Sequence, residues 1–475
     1  MEIKFTADFP LYHARAIQKF ALFLLLTLFS ANISAQSPAK NGRLVVSKDG
    51  YALQFEDGTP FFWLGDTGWE MFSRLTLEEM KVYLDNRAAK GFNVIQVSGL
   101  SVHDLKSPNR YGELPLDNLD PLKPNERYFA VIDSVMSYAL KRNLFIGLVA
   151  TWGDKVVEET FDSTKAYAYG KWLGIRYKNF SNIVWIVGGD QSPVKGTSDY
   201  RSIWRAMANG IIDGTGHRCL ITYHPAGERS SSEWLHKEPW LDFNMIQSSH
   251  GRQDCPVWDM VRKDRSNVPS KPTLDSEPNY EDHPINPWPK WNVDNGYFRD
   301  YDVRKQIYRS VFAGGFGVTY GHHAIWQFLS EREEVINYAD RGWVNAMDRP
   351  GAYQAGHLRK LIESRPMRQR VPDLTMIAEG QGEGSEHIEA FRSMDNSYAM
   401  IYLPIGKKIA LDMSFMRCKN IIAWWFNPKD ASIQKIGVLP RTARMEFTSP
   451  LHGAENDWVL VVDDATKKFK EPGKL

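Results

Sequence analysis

The chain has 475 residues, of which 43% are hydrophobic and 24% charged, with a formal net charge of +1. That composition suits a folded, water-facing protein longer than one ordinary domain. The balanced charge excludes the electrostatic footprint of a nucleic-acid or anionic-membrane binder, so neither partner is expected. Sixteen Trp and 20 Tyr exceed what packing ordinarily needs. Aromatic faces of this kind stack on sugar rings, although a large core and a Trp-rich sheet would account for many of them.

At the start of the chain, Lys4, Arg15 and Lys19 precede the apolar run FALFLLLTLF, and ANISAQS then offers Ala35 as a small residue at a cleavage point. The run is about ten residues, half of the roughly twenty that cross a bilayer. Residues 1–35 are therefore expected to be a signal peptide, with no membrane span, and the mature protein to be secreted or periplasmic. The three cysteines, Cys219, Cys255 and Cys418, are odd in number and widely spaced. They read as small buried hydrophobes rather than a disulfide framework or a metal site.

GRLVVSKDGYALQFEDGTP alternates like a hairpin around Asp57-Gly58. FFWLGDT then reads as a first strand. The helix TLEEMKVYLDNRAAKG follows, with Thr76 at its cap, Glu78 and Glu79 in its first turn and Gly91 past its end. FNVIQVSGL, LFIGLVATW and NIVWIVGGD are the next strands, each preceded by a helical segment. CLITYHP, FNMIQSSH, PTLDSEPNY and GVTYGHHAIWQF continue the alternation. Eight continuous apolar strands separated by helices predict an α/β fold, a (β/α)8 TIM barrel. No glycine-rich dinucleotide fingerprint follows the first strand, so a doubly wound sheet is disfavoured and no cofactor is expected.

From about residue 372 the texture changes to short β-type runs: HIEAFRS, YAMIYLP, KKIALDM, NIIAWWFNP, SIQKIGVL, RMEFTS and WVLVVDD. The predicted organisation is a catalytic barrel over 36–371 and an antiparallel β-sandwich over 372–475. The two are expected to pack tightly, and the expected oligomeric state is a monomer.

Barrel active sites lie at the carboxyl ends of the strands. The polar and aromatic residues there are Asp66, Gln96, His103, Trp152 with Asp154, Asp190, Gln191, Tyr223, His224, Gln247, His250, Glu277, Tyr280, His322, His323 and Trp326, and all but Asp154, Asp190 and Glu277 are expected to bind substrate. Asp190 and Glu277 stand out because each directly ends a strong strand, the fourth and the seventh, on opposite sides of the barrel mouth. A strand-end Asp taken singly is most often a cap or turn former. Two opposed carboxylates flanked by His and Trp instead suit glycoside cleavage, one as proton donor and one as nucleophile or base. Desolvation beyond the apolar fourth strand would raise Asp190 toward a working acid. Ser276, Asn279 and Tyr280 would hold an ionised Glu277, and Gly188 and Gly189 would leave room for a sugar to approach the chain. Asp275 lies deeper and reads equally well as structural. Of the adjacent His322 and His323, at most one should face the site. No zinc-type His spacing is present, so no metal is expected.

PFFWLGDTGWEMF, KGFNVIQVSGL, NIVWIVGGDQ, PTLDSEPNYE and FGVTYGHHAIWQF together resemble the apiosidase-like catalytic domain of glycoside hydrolase family 140. NIIAWWFNPKDA and DWVLVVDD resemble the small β-domain that often follows it, which carries a collagen-binding label. The resemblance implies a retaining hydrolase releasing apiose-capped side chains of the pectic polysaccharide rhamnogalacturonan II. It implies Asp190 of the GGD motif as acid/base and Glu277 of the SEP motif as nucleophile.

Two other readings remain. One is a non-catalytic carbohydrate- or collagen-binding protein, motivated by Trp424 and Trp425 in the sandwich. The other is a peptidase, for which no Gly-x-Ser-x-Gly elbow, zinc-binding helix or Cys-His pair is found. An oligosaccharide or polysaccharide substrate is the expected partner.

Overall fold

The computed structural model describes residues 38–475 apart from Arg218; the expected signal peptide lies outside the described residues. Eight parallel strands carry the first part: β1 (Trp63–Thr67), β2 (Val94–Ser98), β3 (Phe145–Val149), β4 (Ile183–Gly188), β5 (Ile221–His224), β6 (Asn244–Gln247), β7 (Thr273–Asp275) and β8 (Gly317–Tyr320). They are hydrogen-bonded in the order β5-β4-β3-β2-β1-β8-β7-β6, which is that of an eight-stranded barrel opened at one seam. Among the described residues no ladder joins β5 to β6. A short strand, Arg229–Ser230, instead adds antiparallel to β6 as a ninth member of the sheet. The seam is bridged more sparsely, by Asp242 N–H to Ile221 O at 2.8 Å and Thr222 Oγ1 to Phe243 O at 2.7 Å. The closed ladder expected from the alternation is thus a curled nine-stranded sheet.

The strands form where the sequence is apolar on both faces: every residue of β2 and β3 is buried. Trp63, Phe145, Ile186, Phe243, Met245 and Phe316 share the cluster that fills the space inside the curl. Helices cover the outside. α1 (Leu77–Ala89) starts with a capping box between Thr76 and Glu79. α2 (Glu126–Lys141) buries Phe129, Ile132, Val135, Met136 and Ala139, the spacing of one helical face. α3 (Ser163–Tyr177) and α4 (Arg201–Thr215) flank β4 and pack backbone to backbone. A Cβ on Gly210 would come within 2.2 Å of the Tyr167 carbonyl. The remaining outer helices used below are α5 (Val257–Arg265), α6 (Asp300–Phe312) and α7 (Pro350–Glu363).

The C-terminal part is two antiparallel sheets. A six-stranded sheet runs in the order β9 (Arg370–Pro372), β11 (Glu389–Ser393), β12 (Tyr398–Leu403), β17 (Trp458–Asp464), β14 (Asn420–Phe426), β15 (Ile433–Pro440). A three-stranded sheet joins β10 (Ile377–Glu379), β13 (Gly406–Asp412) and β16 (Arg444–Gly453). Ile401, Leu411, Trp425, Phe447 and Leu460 fill the space between them. The outer face of the six-stranded sheet, with Met400, Tyr402, Trp424 and Val461, is continuous with the apolar side of α6 and α7. At that junction Arg304 makes a bidentate pair with Asp457, at 2.8 and 2.7 Å, and Arg365 another with Asp463. Strand β9 already belongs to this sheet, so the second part begins by Arg370.

Candidate active site

The carboxyl end of β4 carries Asp190 by way of a left-handed turn, with φ of 89° at Gly188, 122° at Gly189 and 52° at Asp190. The two glycines serve the fold rather than a ligand. A Cβ on Gly188 would fall 2.5 Å from the His224 carbonyl, and one on Gly189 would fall 2.7 Å from the Trp152 ring. The room expected there for a sugar is filled by neighbouring strand ends. The turn has the effect of swinging the Asp190 side chain out of the pleat and into a cleft of about 520 Å³.

Glu277, two residues beyond β7, faces it across this cleft. Carboxylate oxygens of Asp190 and Glu277 and a ring nitrogen of His224 all lie within 4.8 Å of one another. His250 Nε2 donates to Glu277 Oε1 at 3.1 Å, while its Nδ1 accepts the Tyr280 N–H at 3.3 Å. That pair of bonds fixes the tautomer. His224 Nε2 approaches Glu277 Oε2 at 3.1 Å as an ion pair but off the line of a good hydrogen bond, so both atoms are buried without one. The Ser276, Asn279 and Tyr280 side chains, expected to hold Glu277, do not: Ser276 donates to the Ile246 carbonyl and the Tyr280 hydroxyl accepts from Trp69. The two histidines from β5 and the β6 end do so instead.

The electrostatics separate the two acids. Solvent reaches Asp190 through the cleft, but the surrounding walls strip much of its hydration. That desolvation, followed by the charge of Glu277, pushes its carboxyl up to about 7, against the pull of His224 and of the Gln247 hydrogen bond at 2.9 Å. Burial alone would raise Glu277 too. The contacts of His224 and His250, with the charge of His224, outweigh it and bring Glu277 down to about 2. His224 is correspondingly raised: burial opposes its charged form, and Glu277 more than compensates.

Of the other expected residues, His103, Trp152, Gln191, Gln247, His250, Tyr280 and Trp326 line the cleft. His224 stands at its floor, boxed by the Trp69 and Trp152 rings. Five do not line it. Asp66 is buried under β1, accepting from Arg87 Nε at 2.5 Å and the Tyr83 hydroxyl at 2.8 Å. Gln96 bonds Ser276 O and Thr319 inside the curl. The Tyr223 hydroxyl supports the loop by donating to Gln191 O at 2.8 Å. His322 caps the short helix His323–Trp326 and meets Asp282 at 3.2 Å. His323 accepts from Trp326 and contacts Asn337 O, its ring set 4.2 Å behind that of His283. Neither adjacent histidine faces the site. Asp275 is buried with Ser248 at 2.8 Å, and burial pushes it up to about 7.

Asp154, at the strand end beside Trp152, lines the cleft as well, together with Trp69, Ser249, His283, Trp288 and Asn337. Trp69 sits in the GDTGW stretch directly after β1, where the strand-end rule would have found it one turn further on. His283 and Trp288 come from the Pro- and Trp-rich loop after β7, and His283 stacks on His250 at 4.2 Å. Asp190, His224 and Glu277 are also the one group of side chains among the described residues spaced to hold a cation.

The profile of the family described as "Apiosidase-like, catalytic domain" matches residues 47–369, and that of the "Putative collagen-binding domain of a collagenase" matches residues 371–463. No curated protein matches the chain. Among solved structures, a glycoside hydrolase family 5 protein from Bacteroides vulgatus ATCC 8482 is similar at 34% identity. The match covers 92% of this chain and 97% of that one, with a TM-score of 0.85. A second structure, described as a glycoside hydrolase, shares 34% identity over 92% of this chain and all of its own, again at a TM-score of 0.85. An acid pair of divided proton affinity in an aromatic cleft on this scaffold agrees with both. The chain belongs to the apiosidase-like family and is a glycoside hydrolase.

Proposed function

We propose that the protein is a retaining glycosidase of family 140 type, built on a functional (β/α)8 barrel, with Glu277 as nucleophile and Asp190 as acid/base. One observation carries this reading: the two carboxylates lie within 4.8 Å of each other with proton affinities pushed to about 7 and about 2. A close pair suits direct attack on the sugar, because an inverting pair needs room for a water, about 6.5–9.5 Å against about 5–5.5 Å. Asp190, protonated near neutrality, gives its proton to the glycosidic oxygen as Glu277 Oε2 attacks the anomeric carbon and the bond to the leaving group breaks. Esterification removes the Glu277 charge, one of the influences that raise Asp190. Its proton affinity then falls, and it takes a proton from the water that hydrolyses the glycosyl-enzyme.

The substrate we propose is a plant cell-wall oligosaccharide with an apiosyl linkage, as in rhamnogalacturonan II side chains, acted on outside the cytoplasm. The family match supports the sugar, and the basic and apolar stretches before Ala35 support export. Product analysis after incubation with rhamnogalacturonan II fragments and with simpler plant oligosaccharides tests the substrate. Release of apiose supports it, and release of another sugar alone contradicts it. Retained turnover after dialysis against a chelator is expected, since a cation held by Asp190, His224 and Glu277 would occupy the nucleophile.

The binding-protein reading loses its motive. Trp424 is buried on the face toward α6 and α7, and Trp425 is buried between the two sheets. Neither ring is open to a ligand, and the C-terminal part reads best as a support for the barrel.

A further inference from the structure

A second cavity, of about 270 Å³, lies at the end of the sheet opposite the cleft, where the N-terminal hairpin, α5 and the first C-terminal strands meet. Three arginines line it: Arg265, the last residue of α5, Arg368 in the turn before β9, and Arg370 at the start of β9. One acid reaches it, Asp49, whose Oδ1 is already engaged by the Ser47 hydroxyl at 2.5 Å and the Tyr51 N–H at 3.0 Å. Three cations against one acid leave a formal lining charge of +2.

Arg265 donates to the Gly314 carbonyl at 3.1 Å and lies over Tyr51, 4.3 Å from the ring centroid. Arg370 donates to Gly315 O at 3.2 Å and, at 3.4 Å, to Val311 O, and sits 5.5 Å from the Phe391 centroid. Its Nε is buried with no partner. Neither arginine has a carboxylate within ion-pair distance among the described residues. Burial, with the charge of Arg265 beside it, lowers Arg370 to about 10, and burial lowers Arg265 too. Bracing the Val311, Gly314 and Gly315 carbonyls explains why arginines stand here. It leaves the Arg370 Nε–H and two uncompensated charges unanswered, an arrangement that is costly without a counter-ion.

We propose that this cavity is a binding site for a small organic carboxylate, gripped by Arg265 and Arg370. Guanidinium forks match a carboxylate in the plane and charge-assist its hydrogen bonds. The other walls are apolar, among them Phe312, Pro372, Phe391 and Met394. A free phosphate would lose its hydration against them with no return, whereas a carboxylate on a hydrocarbon or ring body gains from them. The volume falls just under the roughly 300–1,000 Å³ of drug-sized sites, so the body is about one ring.

Calorimetric titration of the full chain with benzoate, benzamide and inorganic phosphate tests this. Benzoate is expected to bind saturably, one per chain, at least about ten-fold more tightly than benzamide or phosphate. Arg370→Gln should weaken it by about ten-fold or more. Met394→Trp, which fills the mouth of the cavity and keeps both guanidiniums, should do the same and covers the case in which Arg370→Gln does not fold. Absence of saturable benzoate binding, equal binding of benzamide, tighter binding of phosphate, or unchanged benzoate affinity in Met394→Trp would overturn the proposal.

Discussion

Asp190 and Glu277 meet across the cleft with oxygens within 4.8 Å of each other, yet one carboxyl is pushed up to about 7 and the other down to about 2. Two equal carboxylates this close would compete for one proton. Here the histidines settle the competition. His224 and His250 both stand on the Glu277 side, while Asp190 has Gln247 as its hydrogen-bond partner. The proton therefore resides on Asp190.

A pH profile follows from that division. The proposed mechanism needs Asp190 protonated and Glu277 ionised, so kcat/KM should fall as pH rises through about 7. Glu277 stays ionised down to about 2, so any loss of rate between pH 4 and 6 belongs to other groups or to unfolding. Steady-state rates in overlapping buffers check this, and a plateau extending beyond pH 9 would assign the acid elsewhere.

Removing each acid should have a different signature. Glu277→Ala should lose activity on every substrate, by at least about 10³-fold. Asp190→Ala should lose about 10²- to 10⁴-fold on a natural glycoside but much less on an activated aryl glycoside, whose leaving group needs no proton. The comparison of the two substrates reads out the acid directly.

Stability should move against activity at Asp190. Its folded pKa lies above the ordinary 3.8, so its contribution to stability is fully present below 3.8 and is lost as pH rises through about 7. Glu277 runs the other way, contributing above its ordinary 4.5 and losing that contribution as pH falls toward 2. Asp190→Asn should therefore melt higher than the parent protein at pH 8, by about 1–4 °C, with the advantage shrinking toward pH 4. Thermal melts at the two pH values test it.

Asp66 makes the contrasting case. It lies in the last pleat of β1, one residue before Thr67, as Asp190 follows β4, but its carboxylate is sealed against Arg87 and Tyr83. Asp66→Ala leaves the Arg87 charge buried and should cost about 3–5 kcal/mol of stability. The folded fraction should keep kcat/KM within about three-fold, measurable by denaturant unfolding alongside assays on soluble protein.

These two aspartates show what the sequence could carry and where it ran out. Strand alternation located all eight strands and their carboxyl ends, because parallel strands buried on both faces must be apolar throughout. Both acids of the pair were legible for the same reason. Direction was not. Asp66 follows the strand pleat toward the outer helix α1, whereas Asp190 is turned into the cleft by three consecutive positive φ values, and no local pattern announces that turn's aim. Seam closure was also hidden, since pairing of β6 with Arg229–Ser230 depends on a two-residue strand. The strand-end positions of His224 and His250 point to substrate contact. Their grip on Glu277 arises from strands distant in sequence and becomes visible only when β5, β6 and β7 are side by side.

The most direct test of the two-carboxylate reading is proton NMR of the first sugar released, before mutarotation. Direct attack by Glu277 followed by hydrolysis with Asp190 as base predicts a product with the anomeric configuration of the substrate. An inverted first product would contradict it, and would mean that a water, not Glu277, reaches the anomeric carbon.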